Sequence, residues 1–534
     1  MKSVRPAPDP GSTPVETELK LAIDPRALPR LAKHPALKPL ADGRARRGRV
    51  VSTYHDTPDR RLHRAGLTLR VRRDGRRWRM AVKGAPLADA PSGLLARPEL
   101  EWAIDGPAID TMRLATTPWR AVFAKALRKQ TLAPVFTTDV ERTSLPLAFP
   151  DGTRATLAID NGTIVLPAET KRRVRTASVA EIELELGSGD ARTLLDLATR
   201  LCEDLPLALE PRSKAERGYA LAGGIADAPS RAREIVHADD PTAATALAAI
   251  VEECVRQVAA NAPGFRARHL ADPEWVHQMR IAVRRLRSCL ALADGIAAAS
   301  ALAHLRAETR WALDALGPAR DLDVFVVETL PAVLDDLDRA DGESAKPVHD
   351  LARGAARRRR SASGAAVACV ASTRFTRLAL AASALAASLR AGGIADAGEP
   401  RGGDARRFAM RVVERRARRL DKAGAGLEHA DVEARHAVRI AAKKLRYATE
   451  FFATLFPRRR TRDYRRALAK LQDALGGFND AAVAARVAAV LAGPTAPATV
   501  AIQRWSAGRI AQGAERIDDA WSDYAKARRF WSRA

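Results

Sequence analysis

Charged side chains recur at every second position in short segments of the N-terminal half. Residues two apart in a strand share a face, so Glu16, Glu18 and Lys20 of ETELK would point the same way. The same spacing relates Glu181, Glu183 and Glu185 of EIELE, Arg70 and Arg72, and Glu99 and Glu101. Three carboxylates on one strand face repel one another unless cations neutralise them. Such oxygen ligands suit Mg²⁺ or Mn²⁺, and lysines and arginines on facing strands suit phosphate oxygens.

Two interpretations of this alternating charge remain open. The pattern is typical of an antiparallel sheet with one face in water, where charged side chains are simply solvated. A closed barrel that carries the acidic and the basic set inside would instead hold a metal triphosphate. The residues alone do not decide between a solvated face and a charged interior.

A second arrangement of cations occurs twice in the C-terminal half. VHQMRIAVRRLR begins at Val276, and RHAVRIAAKKLR begins at Arg435. At about 100° per residue, each copy places one histidine and three basic residues on an arc of about 80°. These are His277, Arg280, Arg284 and Arg287 in the first copy, and His436, Arg439, Lys443 and Arg446 in the second. Few acids lie four residues away to neutralise them, so the alternatives are two basic stripes lining an anion-binding groove or a solvated, salt-bridged helix face.

The two stripes belong to a longer internal repeat. The pairs His277 and His436, Gly317 and Gly476, and Asp321 and Asp480 are each 159 residues apart. A constant offset of this kind indicates two copies of one helical unit. The copies differ, because Arg320 and Asp323 of the first correspond to Asn479 and Ala482 of the second.

The elements that must position these side chains differ between the two halves. Up to about residue 225, period-two segments are separated by turn signals typical of antiparallel hairpins, namely Asp74-Gly75, Asp151-Gly152 and Asn161-Gly162. From about Arg233 onward the chain is rich in alanine, leucine and arginine with helical spacing. The sequence therefore predicts a β-rich unit followed by an all-α unit.

Composition narrows the class of partner. The 534 residues include 89 Lys and Arg against 63 Asp and Glu, a net charge of +26, and 47% are hydrophobic. This is typical of a folded basic protein. Only 5% of residues are aromatic, which leaves few platforms for stacking nucleic-acid bases. A polyanion without bases is the partner that this composition favours.

The spacing of the cysteines and the length of the apolar segments indicate the cellular compartment of the protein. The four cysteines lie far apart with no CxxC pair, which disfavours a disulfide framework or a thiolate zinc site and fits a reducing compartment. The N-terminus lacks the apolar stretch of a secretory signal. The longest uncharged run, residues 487–503, contains glycine and proline and is shorter than the roughly 20 apolar residues that span a bilayer. We predict a cytoplasmic protein with no membrane partner.

Six segments of the N-terminal half occur in the order expected of the CYTH domain, or triphosphate tunnel metalloenzymes. They are ETELK, YHDTPD at 54–59, LRVR followed by WRMAVKG, ATLAID, EIELELGSGD and PRSKAERGYAL. Residues 14–225 therefore resemble this family. The resemblance implies an antiparallel eight-stranded β-barrel tunnel with flanking helices that hydrolyses triphosphate compounds with a divalent metal, Mg²⁺ or Mn²⁺.

The resemblance also implies roles for individual residues. The implied metal ligands are Glu16, Glu18, Asp160, Glu183 and Glu185. The implied triphosphate-binding residues are Lys20, Arg70, Arg72, Lys83, Arg142, Lys214 and Arg217, and the implied catalytic residues are Glu18, Lys214 and Arg217. Tyr54 and Asp56 lie in a family motif and are either functional or structural. Glu181 shares the inward parity but is expected at the tunnel mouth, and His55 and His63 are expected to be packing or surface residues.

The helical half resembles the CHAD domain, a duplicated helical bundle implied to bind inorganic polyphosphate. The segments that carry this resemblance are VHQMRIAVRRLR with GPARDLDV, and HAVRIAAKKLRYATEFF with LQDALGGFND. The eight residues of the two basic stripes are the implied polyphosphate ligands. No helix-turn-helix, zinc-finger or RNP-like motif occurs, so we predict no sequence-specific nucleic-acid partner.

Together these observations predict a two-part fold, α+β and then all-α. The expected organisation is a flexible leader at 1–13, a CYTH domain at 14–225, a linker at 226–234 and a CHAD domain at 235–534. Within the latter, the repeats would cover about 235–389 and about 408–534, separated by a linker at 390–407.

We expect metal-dependent hydrolysis of inorganic triphosphate in the barrel and polyphosphate binding in the helical domain, which would allow association with polyphosphate granules in the cytoplasm. The alternatives are a non-enzymatic polyphosphate-binding or granule-associated protein, and a nucleotide cyclase.

Overall fold

The computed structural model describes residues 13–87, 93–128, 130–167, 175–223, 228–266, 272–340, 342–392, 403–427 and 430–531. Almost all of the predicted leader and most of the predicted linker at 390–407 lie outside these residues. The chain forms two compact units, Met1–Ala228 with Ser372–Ala384, and Pro229–Ala371 with Leu385–Ala534.

The first unit is built on a closed antiparallel β-barrel. Its strands are β1 (Val15–Ile23), β2 (Arg46–Asp56), β3 (Thr68–Asp74), β4 (Arg77–Lys83), β5 (Leu95–Ile104), β6 (Ala133–Ala148), β7 (Arg154–Val165), β8 (Thr176–Ser188) and the short β9 (Leu207–Leu209). The strand order is β5-β4-β3-β2-β6-β7-β8-β1, with β9 beside β1, and pairing of β5 with β1 closes the ring. The predicted eight-stranded antiparallel barrel is confirmed.

Two of the three predicted turns occur where the sequence placed them. Gly75 and Gly152 have φ of 59° and 83° in the connections that follow β3 and β6, a left-handed conformation that glycine adopts at little cost. Asn161-Gly162 instead lies inside β7, and the prediction of a turn there is wrong. A Cβ at Gly162 would lie 2.1 Å from the Asp139 carbonyl oxygen, so this glycine permits close approach of β7 to β6.

Apolar side chains of the strands face outward, under short helices. These are α1 (Leu28–Ala32), α2 (Arg61–Arg64), α3 (Thr111–Ala115), α4 (Arg120–Leu127), α5 (Arg192–Asp204) and α6 (Lys214–Gly223). Leu19 and Leu21 of β1 pack in one core with Leu194 and Leu201 of α5. Each fully buried leucine contributes about 1.5–3 kcal/mol. Because the odd-numbered positions of β1 form this outer core, its even-numbered charged residues face the barrel interior.

Helix α6 packs on the strands through a second core. Tyr219 and Ala215 of α6 are buried with Phe136 and Val140 of β6. A Cβ at Gly218 would lie 2.1 Å from the Phe136 ring. Glycine at this position therefore lets α6 approach β6 closely enough to bring the side chain of Lys214 into the barrel.

The second unit is helical. Its helices are α7 (Ala243–Arg266), α8 (Glu274–Leu290), α9 (Ala299–Asp323), α10 (Leu330–Ala340), α11 (Gly342–Val370), α13 (Ala405–Gly424), α14 (Val432–Phe451), α15 (Arg458–Ala492) and α16 (Pro497–Lys526), with a π-helical segment at Val324–Thr329. The helix α12 (Thr373–Arg390) precedes α13. Helices α9 and α15 begin 159 residues apart, at Ala299 and Arg458. The offset found in the sequence is thus a repeat of helices.

The first part of α12 packs with the barrel unit. Leu380 is buried among leucines of β1 and α5, and Thr376 Oγ1 donates a hydrogen bond to the Leu207 carbonyl oxygen at 3.0 Å. The predicted first repeat, at about 235–389, included these residues. The structure instead groups residues 372–384 with the first unit.

Helix α15 has the length and composition of a membrane span over one 18-residue stretch, and a bent pair, 345–370 with 373–390, would make a second. Along the same helix, Ala484 and Ala488 are buried against Ala498 and Ile502 of α16. Packing inside a helical bundle also requires such an apolar face. The absence of a membrane partner stays a prediction.

Candidate active site and anion-binding groove

The barrel encloses a charged cavity of about 790 Å³. Its lining includes eight basic residues, Lys20, Arg70, Arg72, Arg79, Lys83, Arg97, Arg142 and Lys214. It also includes seven acidic residues, Glu16, Glu18, Glu99, Glu101, Asp160, Glu183 and Glu185. The alternating charge of the strands therefore faces the interior of the barrel, and the interpretation as a simply solvated face is wrong.

One side of the cavity is a cluster of lysine and carboxylates. Asp160, Glu181 and Glu183 bring oxygen atoms within 4.8 Å of one another. Lys214 Nζ lies 2.6 Å from Asp160 Oδ2, 2.5 Å from Glu181 Oε1 and 2.9 Å from Glu183 Oε1. The cluster forms because β7 and β8 pair Asp160 with Glu181, while α6 brings Lys214 to them.

Two further cations complete this cluster. Lys20 Nζ lies 2.7 Å from Glu183 Oε1. The Arg142 guanidinium donates to Asp160 Oδ2 at 2.6 Å and to Glu183 Oε2 at 2.7 Å. The carboxylates are therefore held by charged hydrogen bonds, which are stronger than neutral ones.

The charges in this cluster keep one another ionised. Burial alone would lower the pKa of Lys20, but Glu18, Glu183 and Glu181 raise it well above its ordinary value. Burial would likewise raise the pKa of Glu183, but Lys20, Lys214 and Arg142 hold it well below the ordinary value. Opposite charges at hydrogen-bond distance outweigh desolvation here.

The other side of the cavity pairs cations with acids of β1 and β5. Lys83 pairs with Glu16, and its Nζ lies 3.3 Å from Glu99 Oε2. Arg70 Nη2 lies 3.1 Å from Glu99 Oε1. Glu99 and Glu101 share a face in the sequence but had no assigned role, and both line the cavity.

Arg72 differs from the other cavity cations in its surroundings. Its Nε donates to Ser52 Oγ at 3.4 Å, and among the described residues no carboxylate oxygen lies within 4.0 Å of its guanidinium. Burial, Arg70 and Arg142 lower its pKa to about 10, so it remains charged at neutral pH. An anion in the cavity would meet this cation without first displacing an acid.

Arg97 lines the cavity although it was not predicted as a site residue. It is 6% exposed and lies opposite Glu16 where β5 pairs with β1. Its Nε and Nη2 are buried without a hydrogen-bond partner within the described part of the chain, and Nη2 lies 3.8 Å from Glu216 Oε2. The parity that Arg97 shares with Glu99 and Glu101 was the signal that could have found it.

Glu181, Arg217 and Glu185 lie at different positions relative to the lysine and carboxylate cluster. Glu181 is 0% exposed and bonds to Lys214, so the expectation that it lies at the tunnel mouth is wrong. Arg217 donates to Glu181 Oε2 at 2.7 Å and also to the Ser178 carbonyl oxygen, so it touches the cluster from its edge. Glu185 lines the cavity opposite Glu18.

Asp56 has a structural role. Its carboxylate accepts hydrogen bonds from the amides of Leu62 and His63 at 3.0 and 2.9 Å and from the Tyr219 hydroxyl at 3.1 Å. These bonds tie the start of α2 to α6. His63 stacks on the Tyr219 ring at 4.0 Å, as expected of a packing residue, and burial lowers the pKa of His55.

Tyr54 lies between the cavity and the core. Its ring stacks on Phe136 with the centroids 4.5 Å apart, and the residue also lines the cavity. The stacking supports the structural alternative for this residue.

The donor set fits a hard divalent cation. The carboxylates that converge in the cluster are those of Asp160, Glu181 and Glu183, and Glu18 lies 3.6 Å from the neighbouring Lys20 Nζ. Carboxylate oxygens are the ligands that Mg²⁺ and Mn²⁺ prefer. Of the five implied ligands, Asp160 and Glu183 belong to the cluster. Glu18 lies beside it with Glu185 opposite in register, whereas Glu16 pairs with Lys83.

In the helical unit, the helices that carry the two basic stripes contact each other, because Arg285 Nη1 of α8 lies 2.6 Å from Glu450 Oε2 of α14. Burial, Arg439 and Arg284 lower the pKa of Lys443 to about 7, with Arg280 adding to the effect. Burial and Arg320 lower the pKa of His277 to about 4, again with Arg284 and Arg280 nearby. Cations of α8 and α14 therefore lie close to one another around a common space. We call this space the basic groove.

Several buried nitrogen atoms of the basic groove have no hydrogen-bond partner within the described residues. They are His277 Nδ1, Arg280 Nε and Arg439 Nε. The acid Asp480 approaches the groove, with its Oδ1 3.8 Å from Arg439 Nη2. Arg280 Nε and Arg439 Nε are N–H donors, and buried donors without partners are costly.

The other three stripe residues, Arg287, Arg446 and His436, have different surroundings. Arg446 donates to Glu450 Oε1 at 2.7 Å and to Gln472 Oε1 at 3.0 Å. Arg287 is exposed and lies near Lys444, whose pKa is lowered by burial and by Arg416, Arg419 and Arg287. His436 is exposed. The structure thus brings five of the eight predicted ligands together, namely His277, Arg280, Arg284, Arg439 and Lys443.

Comparison with known proteins assigns each half to a family. The CYTH domain model matches residues 15–219, and the CHAD domain model matches residues 249–489. An inorganic triphosphatase from Haemophilus influenzae is 30% identical over 211 residues, which are 39% of this chain and 54% of that protein. The chain therefore spans about half the length of this relative.

A solved relative covers the helical half. The CHAD domain from the plant Ricinus communis is 31% identical, with a match that covers 57% of this chain and 98% of that domain at a TM-score of 0.48. The family matches occur in the order that the motifs predicted. The barrel thus matches the CYTH domain family and the helical bundle matches the CHAD domain family.

Proposed function

We propose that the barrel hydrolyses phosphoric anhydrides, with inorganic triphosphate as its substrate. The observation that carries the proposal is the cavity, where eight basic and seven acidic residues line one enclosed space. A phosphate-binding site alone would not need the acidic set, and a cation site alone would not need the basic set. The inorganic triphosphatase that resembles this half supports the same activity.

Different residues of the cavity would bind the phosphates, stabilise the leaving oxygen and hold the divalent cation. Phosphoryl transfer to water depends mainly on charge neutralisation and positioning. Lys20, Arg72 and Lys83 would bind phosphate oxygens from three different strands, while Lys214 and Arg217 would counter charge that develops on the leaving oxygen. Asp160, Glu183 and Glu18 would hold a divalent cation, with Glu181 beside them. Bound Mg²⁺ or Mn²⁺ would supply neutralisation of phosphate oxygens and a lower pKa for a bound water.

The lining favours an inorganic substrate over a nucleotide. Its described aromatic members are Tyr54 and Trp102, and the Tyr54 ring already stacks on Phe136. A base would have few aromatic faces to stack on, whereas a triphosphate would meet the eight basic residues of the lining.

We propose that the helical domain binds inorganic polyphosphate in the basic groove. Two observations support binding of a linear, highly charged anion. Cations of α8 and α14 face each other, and some of their buried nitrogen atoms have no hydrogen-bond partner within the described residues. Such binding would place the enzyme on polyphosphate or on granules that contain it, in the cytoplasm.

The test is phosphate release by the purified full-length chain. Tripolyphosphate, ATP and long-chain polyphosphate are each supplied with Mg²⁺, Mn²⁺ or EDTA, and products from ATP are separated by chromatography. Metal-dependent release mainly from tripolyphosphate is expected. Retention of polyphosphate without release from any substrate would support a binding protein instead, and cyclic AMP from ATP would identify a cyclase.

A further inference from the structure

A second basic cavity lies in the helical unit, between the first turns of α15 and the segment that follows α16. Its volume is about 610 Å³. Its lining is Arg459, Arg460, Asp463, Arg466, Ala467, Lys470, Asp523, Lys526, Ala527, Arg528, Arg529 and Phe530. None of the eight stripe residues is among them. We call this cavity the C-terminal pocket.

Cations outnumber acids in the C-terminal pocket by seven to two. Lys470 Nζ pairs with Asp523 Oδ2 at 2.6 Å, and Arg529 Nη2 pairs with Asp421 Oδ2 at 2.6 Å. Four cations, Arg459, Arg460, Lys526 and Arg528, have no carboxylate within 4.0 Å in the part of the chain that the structure describes. The charge of the pocket is therefore not neutralised by the protein.

The C-terminal pocket is held in shape by an aromatic cluster beneath it. Phe530 packs edge-on against Phe456 and Tyr464, with ring centroids 5.0 and 5.7 Å apart, and Trp531 packs against Tyr464 at 4.9 Å. Trp531 Nε1 donates to Glu414 Oε2 at 2.8 Å. These contacts fix the segment after α16, which places Arg528 in the same pocket lining as Arg459 and Arg460.

We propose that the C-terminal pocket binds condensed phosphate as a second site, separate from the basic groove. Arginine forks match the oxygen pairs of phosphate groups, and the volume lies in the range of ligand sites. Phe530 is the aromatic member of the lining and is 4% exposed, so it offers little surface for stacking a base. This feature favours condensed phosphate over a single-stranded nucleic acid. The choice of polyphosphate as the probe rests on the function proposed for the helical domain.

The experiment is lysine footprinting of the full chain in EDTA. Acetylation of each lysine is measured by mass spectrometry with and without medium-chain polyphosphate. Lys526 reports on the C-terminal pocket, while retention of the chain on immobilised polyphosphate reports on overall binding. In the wild type, polyphosphate is expected to slow acetylation of Lys526 severalfold.

Three variants make the result specific. Protection of Lys526 should be lost in Arg459→Ala with Arg528→Ala and kept in Arg280→Ala with Arg439→Ala, which affects the basic groove. Arg486→Ala with Arg504→Ala removes the same charge from positions of α15 and α16 outside the pocket and should leave the protection unchanged.

The proposal is overturned if polyphosphate leaves Lys526 reactive, or if the Arg459 and Arg528 changes leave its protection intact. It is equally overturned if single-stranded DNA at the same phosphate concentration protects Lys526 as well. A different result would contradict polyphosphate binding by the basic groove. In that case the Arg280→Ala with Arg439→Ala chain would be retained on immobilised polyphosphate as well as the wild type, while Lys526 remains protected.

Discussion

At the scale of single residues, cations of the barrel interior differ in whether a carboxylate already pairs with them. Lys20, Arg142 and Lys214 hold carboxylates within 3 Å. Arg72 contacts Ser52 Oγ at 3.4 Å and lies near Arg70 and Arg142. Binding of a phosphate to Arg72 requires no carboxylate to be released, so its contribution to substrate affinity is the easiest to measure.

Arg72→Ala should weaken substrate binding. Loss of one charged hydrogen bond costs about 1.5–3 kcal/mol, or roughly tenfold to a hundredfold in kcat/KM. Steady-state hydrolysis of tripolyphosphate with Mg²⁺ measures this change. Arg73→Ala is the control, because Arg73 follows on the same strand but is exposed and lies over Trp78. Equal losses in both variants would contradict the assignment.

Lys443 makes the basic groove sensitive to pH. Burial, Arg439 and Arg284 hold its pKa at about 7, whereas a lysine in water titrates near 10.4. A bound polyanion would raise this pKa, so binding at pH 8 takes up close to one proton and affinity falls as pH rises from 6 to 9. Calorimetry in two buffers with different ionisation enthalpies counts the protons. The uptake should vanish in Lys443→Arg, and no uptake by the wild type would argue against the groove.

The alternation of side chains along a strand determined which positions of the site residues could be predicted from the sequence. The parity of ETELK and EIELE was sufficient to place Glu16, Glu18 and Lys20 on one strand face and Glu183 and Glu185 on another, but it left open whether those faces lie inside a barrel. It could not show which charges meet, because partners depend on the register between strands and on the position of α6. Glu181 is the example, since its burial against Lys214 follows from the way α6 packs and not from its own strand.

At the scale of elements, helix α6 supplies cations that the strands alone do not provide to the cavity. It contributes Lys214 and Arg217, and its approach to β6 depends on Gly218, where a Cβ would lie 2.1 Å from the Phe136 ring. Gly218→Ala should therefore displace α6 and reduce hydrolysis at least tenfold, together with a loss of stability of about 1–3 kcal/mol from overpacking. Thermal unfolding and hydrolysis assays check the two effects.

A matched double variant shows whether crowding is the cause. Phe136→Leu with Gly218→Ala removes part of the ring and should recover some activity relative to Gly218→Ala alone. No recovery would mean that the glycine is needed for another reason.

The facing helices α8 and α14 should act together in polyphosphate binding. Arg280→Ala with Arg439→Ala should weaken retention on polyphosphate and make it less dependent on salt, with a slope smaller by roughly 0.7–0.9 for each phosphate left without a cation. Hydrolysis of tripolyphosphate should be unchanged. Arg486→Ala with Arg504→Ala is the charge-matched control, and equal weakening in the two variants would indicate only general attraction to a basic protein.

Helices and strands were predicted well where the hydrophobic pattern continued over many residues. They were predicted poorly where a local turn signal conflicted with that pattern. Asn161-Gly162 has the composition of a hairpin turn, but β7 continues through it because Gly162 allows β6 to approach. The repeat offset of 159 residues recurs in the structure as the distance between the first residues of α9 and α15. Nothing in the sequence of α12 indicated that its first part would pack against leucines of β1 and α5.

At the scale of the whole molecule, the two units carry different kinds of charge. The barrel cavity mixes eight basic and seven acidic residues, as hydrolysis with a divalent cation requires. The basic groove and the C-terminal pocket present mainly cations, as binding of a polyanion requires. This contrast supports the proposal that hydrolysis belongs to the barrel unit and polyphosphate binding to the helical unit.

Glu18→Ala is the change that tests this division most directly. Glu18 is 7% exposed, lines the cavity and lies 3.6 Å from Lys20 Nζ, within the acidic set that would hold the divalent cation. Phosphate release from tripolyphosphate with Mg²⁺ and retention on immobilised polyphosphate are measured on the same preparation, with circular dichroism to confirm folding. We predict loss of release with retention equal to the wild type. Full release by a folded Glu18→Ala chain would contradict the placement of the hydrolytic site, and loss of both properties would contradict the division between the units.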